Sequence, residues 1–274
     1  MNNNEPNQKK INDLISLFNQ KEFLNIVELS QKLLINYPNS VLVNNIAGVA
    51  QTELKNYKLA RDLFIKVIKL NSKFVDGFYN LGNIYNKLNK ENEAIENYKK
   101  AIEIDKKYFK AYNNLGNIYR KRGYNRKALE NYIITLIINP NYKRAYHNLA
   151  GVLQHYTLEE KNKYINSFLL YLLEQKIIVR PNAIASNIIN GLYLNTDLKE
   201  ILELVVDKSF AENFITIIKK LNNNKLLLQF MKVCPIPNYY FESNFKVIRK
   251  ELLKKISLSN FNNFFIKFAT SLSI

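Results

Sequence analysis

The sequence has little cysteine, glycine and histidine, and each shortage argues against a class of site. Cys234 is the only cysteine, so the sequence cannot form an internal disulfide and a reducing, cytoplasmic location is expected. Its seven scattered glycines provide neither a Gly-rich phosphate loop nor a nucleotide-binding fingerprint. His147 and His155 have no cysteine or carboxylate at metal-ligand spacing. We therefore expect no catalytic residues, no metal and no cofactor, and predict that the chain is not an enzyme.

Long apolar runs are also missing. No segment approaches the ~18 consecutive apolar residues that a membrane-spanning helix needs, and residues 1–20 lack the apolar core of a secretory signal. The hydrophobic fraction of 47% and the charged fraction of 23% are those of an ordinary globular protein. We expect no membrane partner, and the polar residues 1–6 are predicted to be a disordered N-terminus.

Acidic residues are scarce relative to basic ones, at 23 against 40, which gives a formal net charge of +17. The basic residues are 33 Lys and seven Arg, whereas proteins that grip phosphates specifically favour the planar fork of Arg. Asn, Ile, Tyr and Phe are also abundant, which is typical of an A/T-rich coding sequence. We predict no specific nucleic-acid partner. The alternative is weak nucleic-acid binding through the basic face, with Tyr108, Tyr124 and Tyr142 as stacking groups.

A 34-residue repeat organises the first half of the chain. The hexapeptide Asn80–Tyr85 recurs unchanged as Asn114–Tyr119. Two columns of small residues keep this period, and two columns of aromatic residues lie four positions away from them. The small columns are Gly48, Gly82, Gly116, Ala150 and Ala60, Ala94, Ala128; the aromatic columns are Phe78, Tyr112, Tyr146 and Phe64, Tyr98, Tyr132. Small residues at helix contacts allow close approach of two backbones, which explains why Gly is kept despite its cost of about 1 kcal/mol within a helix.

Apolar residues within each unit follow the spacing of amphipathic helices, so each unit is predicted to be two helices joined by a short polar turn. The units are 7–40, 41–74, 75–108 and 109–142, with an eroded fifth unit at 143–156. The first unit is the weakest match, since Leu14 stands in the Gly column and Ile26 in the Ala column.

This pattern resembles the tetratricopeptide repeat (TPR) family. The matching residues are Leu81, Gly82, Tyr85, Ala94, Tyr98, Ala101 and Pro140. The resemblance implies an all-α fold, a right-handed TPR helical-hairpin solenoid at 7–156, followed by an irregular C-terminal helical array at 157–274. It also implies that the first helix of each hairpin lines a concave face that binds extended peptides.

On that face the resemblance places a row of asparagines with basic residues beside it. The predicted peptide-binding residues are Asn80, Asn83, Lys87, Asn114, Asn117, Lys121, Arg144 and Asn148. The row resembles the asparagine ladder of the O-linked N-acetylglucosamine transferases, and an amide can pair with both the C=O and the N–H of a peptide. The alternative is that these asparagines are solvated or bond within the array. The basic residues leave an acidic partner open, although Asn45 and Val49 depart from the family's carboxylate clamp.

Residues 157–274 lack the repeat but keep helical spacing, interrupted at Cys234–Pro237. This region resembles the linker between repeats and catalytic domain in some bacterial repeat-plus-transferase proteins. The leading interpretation is a scaffold that binds a protein or peptide. The alternative is the substrate-recognition portion of a protein-modifying glycosyl- or methyltransferase. Oligomeric state is not predicted.

Overall fold

The computed structural model describes residues 5–156 and 164–174, together with the single residues 187 and 225. The regular structure of these residues consists of ten α-helices. The all-α prediction is confirmed. The predicted irregular array at 157–274 lies outside the described residues, apart from the tenth helix and the two single residues. The helices are α1 (Gln8–Asn19), α2 (Phe23–Asn36), α3 (Val41–Glu53), α4 (Tyr57–Leu70), α5 (Val75–Lys87), α6 (Glu91–Ile104), α7 (Phe109–Lys121), α8 (Asn125–Ile138), α9 (Lys143–Leu153) and α10 (Ile165–Glu174).

The helices recur with the same period as the sequence repeat. The first helices of successive hairpins begin at Val41, Val75, Phe109 and Lys143, and the second helices begin at Phe23, Tyr57, Glu91 and Asn125. The observed helices therefore begin at the same 34-residue interval as the sequence repeat. The proposed domain boundaries at 7–156 and 157–274 stay predictions. No helix in the described part of the chain is long and apolar enough to cross a membrane.

The chain divides into two compact units, residues 1–123 and residues 124–274. In the first unit each helix from α1 to α6 packs against the next one along the chain, and α3 also contacts α1 and α5. In the second unit α8 packs on α9, and α9 contacts α10.

The turn inside each hairpin uses one residue in the left-handed conformation. Lys21, Lys55, Asn89 and Gly123 occupy this place, with φ angles of 61°, 64°, 59° and 78°. In the first three hairpins the next residue donates its N–H to a carbonyl five positions back, for example from Asn56 to Gln51. This bond satisfies a carbonyl that the end of the first helix would otherwise leave free.

Small and large residues pair across the second and third hairpins. A Cβ added to Gly48 would lie 2.7 Å from Cε1 of Phe64, so the ring occupies the space above the glycine. The first hairpin reverses this arrangement. Leu14 replaces the glycine and Ser30 replaces the aromatic residue, and both are buried. The weak match of the first unit therefore reflects an exchange of the large and small residues between its two helices.

The N-terminus differs from the expected disorder at residues 5 and 6. The carboxylate of Glu5 accepts hydrogen bonds from the hydroxyl of Ser40 and from the N–H of Val41 (2.8 Å), and Pro6 is buried. The start of α3 offers unpaired N–H groups and the positive end of the helix dipole, which favour a carboxylate there. Residues 1–4 lie outside the described residues.

Candidate functional site

Carboxamides link three consecutive first helices in the unit formed by residues 1–123. Asn80 of α5 donates from Nδ2 to Oδ1 of Asn45 in α3, at 3.1 Å. Asn114 of α7 donates from Nδ2 to Oδ1 of Asn83 in α5, at 2.8 Å. These four residues are called the amide surface below. All four are half-buried, so they border solvent while holding neighbouring repeats together.

The second link is reinforced by tyrosine. The Tyr98 hydroxyl donates to Oδ1 of Asn83 at 2.8 Å, and Nδ2 of Asn114 lies 3.4 Å from that hydroxyl and 3.5 Å from the hydroxyl of Tyr79. Burial raises the pKa of Tyr98 above its ordinary value, an effect that the hydrogen bond from Asn114 opposes in part. The hydroxyl is therefore a fixed, neutral bridge between second helix α6 and first helices α5 and α7.

In Asn80 and Asn83, one end of the side-chain amide is hydrogen-bonded within the array and the other end is available to a ligand. Oδ1 of Asn83 accepts two hydrogen bonds, which is the capacity of an amide oxygen, while its Nδ2 has no partner among the described residues. Asn80 is the reverse case: its Nδ2 donates to Asn45, and its Oδ1 has no partner within the same described part. Adjacent side chains thus present an N–H donor and a carbonyl acceptor, which match the two polar groups of a peptide bond.

An apolar pocket of about 190 Å³ adjoins the amide surface and shares Asn45 with it. Its other lining residues are Ile15, Phe18, Ile46 and Val49, from α1 and α3. Ile15 and Phe18 are 45% and 41% exposed, which is unusual for large apolar side chains unless something covers them.

The repeat register relates the pocket to the amide surface. Ile46 and Val49 stand one full repeat before Asn80 and Asn83. The same two positions of the first helix are therefore apolar in the second hairpin and amide-bearing in the third. The first-helix face, defined here as Ile15, Phe18, Ile46 and Val49 together with the amide surface, changes character along the array from apolar to hydrogen-bonding.

Basic side chains lie at the C-terminal ends of α5 and α7, and the structure distinguishes those that form ion pairs from those that do not. Lys121 Nζ lies 2.7 Å from Oε1 of Glu91, and Nε of Arg122 lies 2.7 Å from its Oε2. These two hydrogen bonds lower the pKa of Glu91 below its ordinary value. Lys87 and Arg120, by contrast, are exposed and form no ion pair with any described residue. The ammonium group of Lys121 is thus partly occupied by its ion pair with Glu91, whereas that of Lys87 is available to an acidic ligand.

Two predicted site residues belong to the other unit. Arg144 and Asn148 lie on α9, where Arg144 is exposed and Asn148 is half-buried. On the same helix, the ring of Tyr146 stacks on Tyr171 of α10 with centroids 3.9 Å apart. The predicted set is therefore divided. Asn80, Asn83 and Asn114 come together with Asn45 in one unit, where Asn117 of α7 is also half-buried, and Arg144 and Asn148 lie in the other.

Of the tyrosines considered for nucleic-acid stacking, Tyr108 has a structural role. Its hydroxyl donates to Asp76, and its ring packs edge-on against Tyr79 with centroids 5.2 Å apart. Burial and the Asp76 carboxylate raise the pKa of this tyrosine. Tyr124, in the second unit, is 55% exposed. Within the described ranges, no group of three or more metal-ligating side chains occurs.

Sequence reasoning missed Asn45 and the apolar pocket. Asn45 stands one position outside the asparagine column, since a shift of one repeat aligns it with Tyr79. Side chains at different repeat positions can form a hydrogen bond on the exposed faces of adjacent helices. A comparison of identical repeat positions therefore does not reveal the pair of Asn45 and Asn80. Ile46 and Val49 did carry a signal, because apolar residues replace asparagine in two columns that belong to the predicted binding face.

A family model described as TPR repeat matches residues 82–123, from within α5 to two residues past the end of α7. Among solved structures, the chain is similar to MamA, with 24% identity and a TM-score of 0.47 over 51% of this chain and 81% of that one. It is similar to YrrB, described as a TPR protein with an unusual peptide-binding site, with 21% identity and a TM-score of 0.46 over 63% and 86%. It is also similar to the second TPR domain of human RPAP3, solved with the HSP70 peptide SGPTIEEVD, with 21% identity and a TM-score of 0.38 over 41% and 98%. No curated protein matches the sequence.

Proposed function

We propose that this chain is a non-catalytic, cytoplasmic scaffold that binds an extended peptide segment of a protein partner on the first-helix face of residues 1–123. The observation that carries the proposal is the hydrogen bond from Asn80 to Asn45. Asn45 lines the apolar pocket, and Asn80 belongs to the amide surface, so the two regions adjoin. A peptide that placed one apolar side chain in the pocket would lay its backbone over the asparagines.

The two regions supply different parts of the binding free energy. Burial of an apolar side chain contributes roughly 25 cal/mol for each Å² removed from water, and it selects for size rather than sequence. Asn80 and Asn83 add hydrogen bonds to the peptide backbone, each worth about 1 kcal/mol net. Their bonds within the array fix the amides before a ligand arrives, which reduces the rotamer entropy lost on binding.

The unpaired basic residues favour an acidic partner. Lys87 ends α5 and Arg120 lies in the last turn of α7. Both are exposed, and neither forms an ion pair with a described residue, so an acidic side chain near the amide surface would meet positive charge. Such exposed charges act mainly on the association rate and on discrimination between partners. Asn117, Lys121, Arg144 and Asn148 remain part of the proposed set through their repeat positions.

A screen of random peptides displayed on phage tests the proposal. We expect enrichment of segments with one large apolar residue followed within a few positions by Asp or Glu. The informative variant is Asn83→Asp, which keeps an oxygen for Tyr98 and Asn114 but replaces the outward N–H donors. A selected peptide should bind this variant about tenfold more weakly, because a donor is lost and an acidic ligand is repelled.

The matched control is Asn92→Asp on second helix α6. The Oδ1 of Asn92 accepts a hydrogen bond from Arg122 at 2.9 Å, so this variant also keeps its acceptor while adding the same charge elsewhere. Equal affinity of both variants and the unchanged protein for the selected peptides would contradict the proposed site. Selection of unrelated sequences without an apolar residue would contradict the role of the pocket.

A further inference from the structure

A second cleft, of about 350 Å³, opens between second helices α2 and α4, with part of its lining from α3. Val27, Ser30 and Leu34 line it from α2, Ala47 and Gln51 from α3, and Leu63 from α4. It shares no lining residue with the apolar pocket of the first-helix face. We call it the α2–α4 cleft.

The next repeat shows what the α2–α4 cleft lacks. A shift of one repeat aligns Ser30, Ala47 and Gln51 with Phe64, Leu81 and Tyr85. Those three larger residues pack together in one apolar cluster between α4 and α5. The junction of the first and second repeats thus has a hydroxyl, a methyl and an amide at positions where the junction of the second and third repeats has two aromatic rings and a leucine. Most of the volume that is left unfilled in the cleft corresponds to the two aromatic rings.

Ser30 provides an independent indication of a ligand. Its side chain is 1% exposed, and its Oγ has no hydrogen-bond partner in the described part of the chain. A buried hydroxyl without a partner is uncommon in native proteins, because burial removes its bonds to water. Gln51, the amide that α3 contributes to the lining, bonds instead to Asn56, from which its Oε1 accepts at 2.8 Å.

The charge around the cleft favours a neutral ligand. Asp62 and Lys66 line it with opposite charges, so the lining residues carry no net charge. Leu59, also in the lining, is 55% exposed and offers an apolar rim. An uncharged ring with one polar group therefore fits better than an acid, a base or a plain hydrocarbon.

We propose that the α2–α4 cleft binds the phenol ring of a tyrosine presented by a partner polypeptide. The ring occupies the volume that Phe64, Leu81 and Tyr85 fill one repeat later, and its hydroxyl pairs with Oγ of Ser30. The cleft is a second contact point of the scaffold, and its existence does not depend on peptide binding at the first-helix face.

Backbone-amide NMR of the full chain tests this assignment with p-cresol, the analogue of the tyrosine side chain, and toluene, the same ring without the hydroxyl. p-Cresol should shift the amides of Val27, Gln31, Ala47 and Gln51 and bind about fivefold more tightly than toluene, by the value of one hydrogen bond. Ser30→Ala should reduce that preference to about one. N-acetyl-tyrosine N-methylamide should shift the same amides as p-cresol.

Ala47→Leu places in the cleft the residue that the next repeat carries there, so it should fold and abolish binding of both p-cresol and toluene. Gln51→Tyr is a second filling variant with the same expected result. Ile46→Asn with Val49→Asn alters the first-helix face and should leave p-cresol binding unchanged, which separates this inference from the proposed function.

Five results would overturn the inference. Four of them concern the ligands: absence of shifts with p-cresol, equal affinity for toluene, binding that survives both filling variants, and binding of free p-cresol without binding of the blocked tyrosine. The last would assign the cleft to a small phenol instead of a polypeptide. Shifts at these amides that depend on protein concentration alone would assign it to a second copy of the chain and would equally overturn the proposal.

Discussion

Gly82 and Tyr98 occupy each other's space: a Cβ added to the glycine would lie 2.7 Å from Cε1 and 2.8 Å from Cδ1 of the tyrosine ring. The ring cannot withdraw easily, because it is fully buried and its hydroxyl is bonded to Asn83. The same pairing joins Gly48 to Phe64. Close approach of the two helices of a hairpin therefore depends on the absence of a side chain at this column.

Gly82→Ala should lower the free energy of unfolding by about 1–3 kcal/mol, the usual cost of overpacking a tight contact. The direction is informative, since an alanine within a helix is otherwise about 1 kcal/mol better than glycine. Urea unfolding of the variant measures the change, and Asn86→Ala, at an exposed position of the same helix, is the control. A more stable Gly82→Ala protein would show that the contact with Tyr98 is not tight.

In the hairpin turns, by contrast, substitutions by glycine should stabilise the protein, and by different amounts at different turns. Lys21, Lys55 and Asn89 adopt the left-handed conformation that Gly123 adopts in the fourth hairpin. Lys55→Gly should stabilise the protein by about 0.5–1 kcal/mol, because relief of the steric cost of a left-handed lysine exceeds the added entropy of the unfolded chain. Asn89→Gly should gain less, since asparagine tolerates this conformation. Thermal unfolding checks the order, and an equal gain at both positions would contradict it.

Glu91 should make the free energy of unfolding depend on pH in the acidic range. Its hydrogen bonds to Lys121 and Arg122 hold its pKa in the folded protein below the ordinary value of about 4.3. The stabilisation is therefore complete above the unfolded pKa and is lost as the pH falls through the lower folded pKa. Glu91→Gln should cost about 1 kcal/mol or less at pH 7, because Lys121 is largely exposed, and it should flatten the loss of stability below about pH 5. Glu96→Gln on the same helix is the control, and parallel acid profiles for the two variants would contradict the role of Glu91.

The repeat register could be predicted because it depends on residue size, which is visible in one sequence. A glycine in the first helix and an aromatic residue at a constant spacing in the second specify a close contact. This spacing is the same for Gly48 with Phe64 and for Gly82 with Tyr98. The first hairpin exchanges the large and small residues of these two columns, which is why its sequence matches the repeat pattern weakly.

The site was less predictable, because the sequence reveals which face asparagines share but not which atoms they pair. Asn83 and Asn114 were selected as peptide ligands, and the structure shows that they also bond to each other. Asn45 bonds to Asn80 from a neighbouring column, which no comparison at the fixed repeat period would select. Carboxamide geometry depends on side-chain rotamers and on the spacing of adjacent helices, and the repeat pattern predicts neither.

The change from apolar to amide residues along the first-helix face can be tested by exchanging the two kinds of residue. Ile46→Asn with Val49→Asn gives α3 the residues that α5 carries at the same repeat positions, Asn80 and Asn83. Ile46 and Val49 are only half-buried, so the double variant should remain folded with a modest loss of stability. Peptides selected on the unchanged protein should bind it at least about tenfold more weakly, because the site for the apolar side chain is lost. A repeated phage selection should no longer enrich the apolar residue while still enriching acidic ones, since Lys87 and Arg120 are untouched. Continued enrichment of the apolar residue would place its binding site elsewhere in the chain and would remove the apolar pocket from the proposed function.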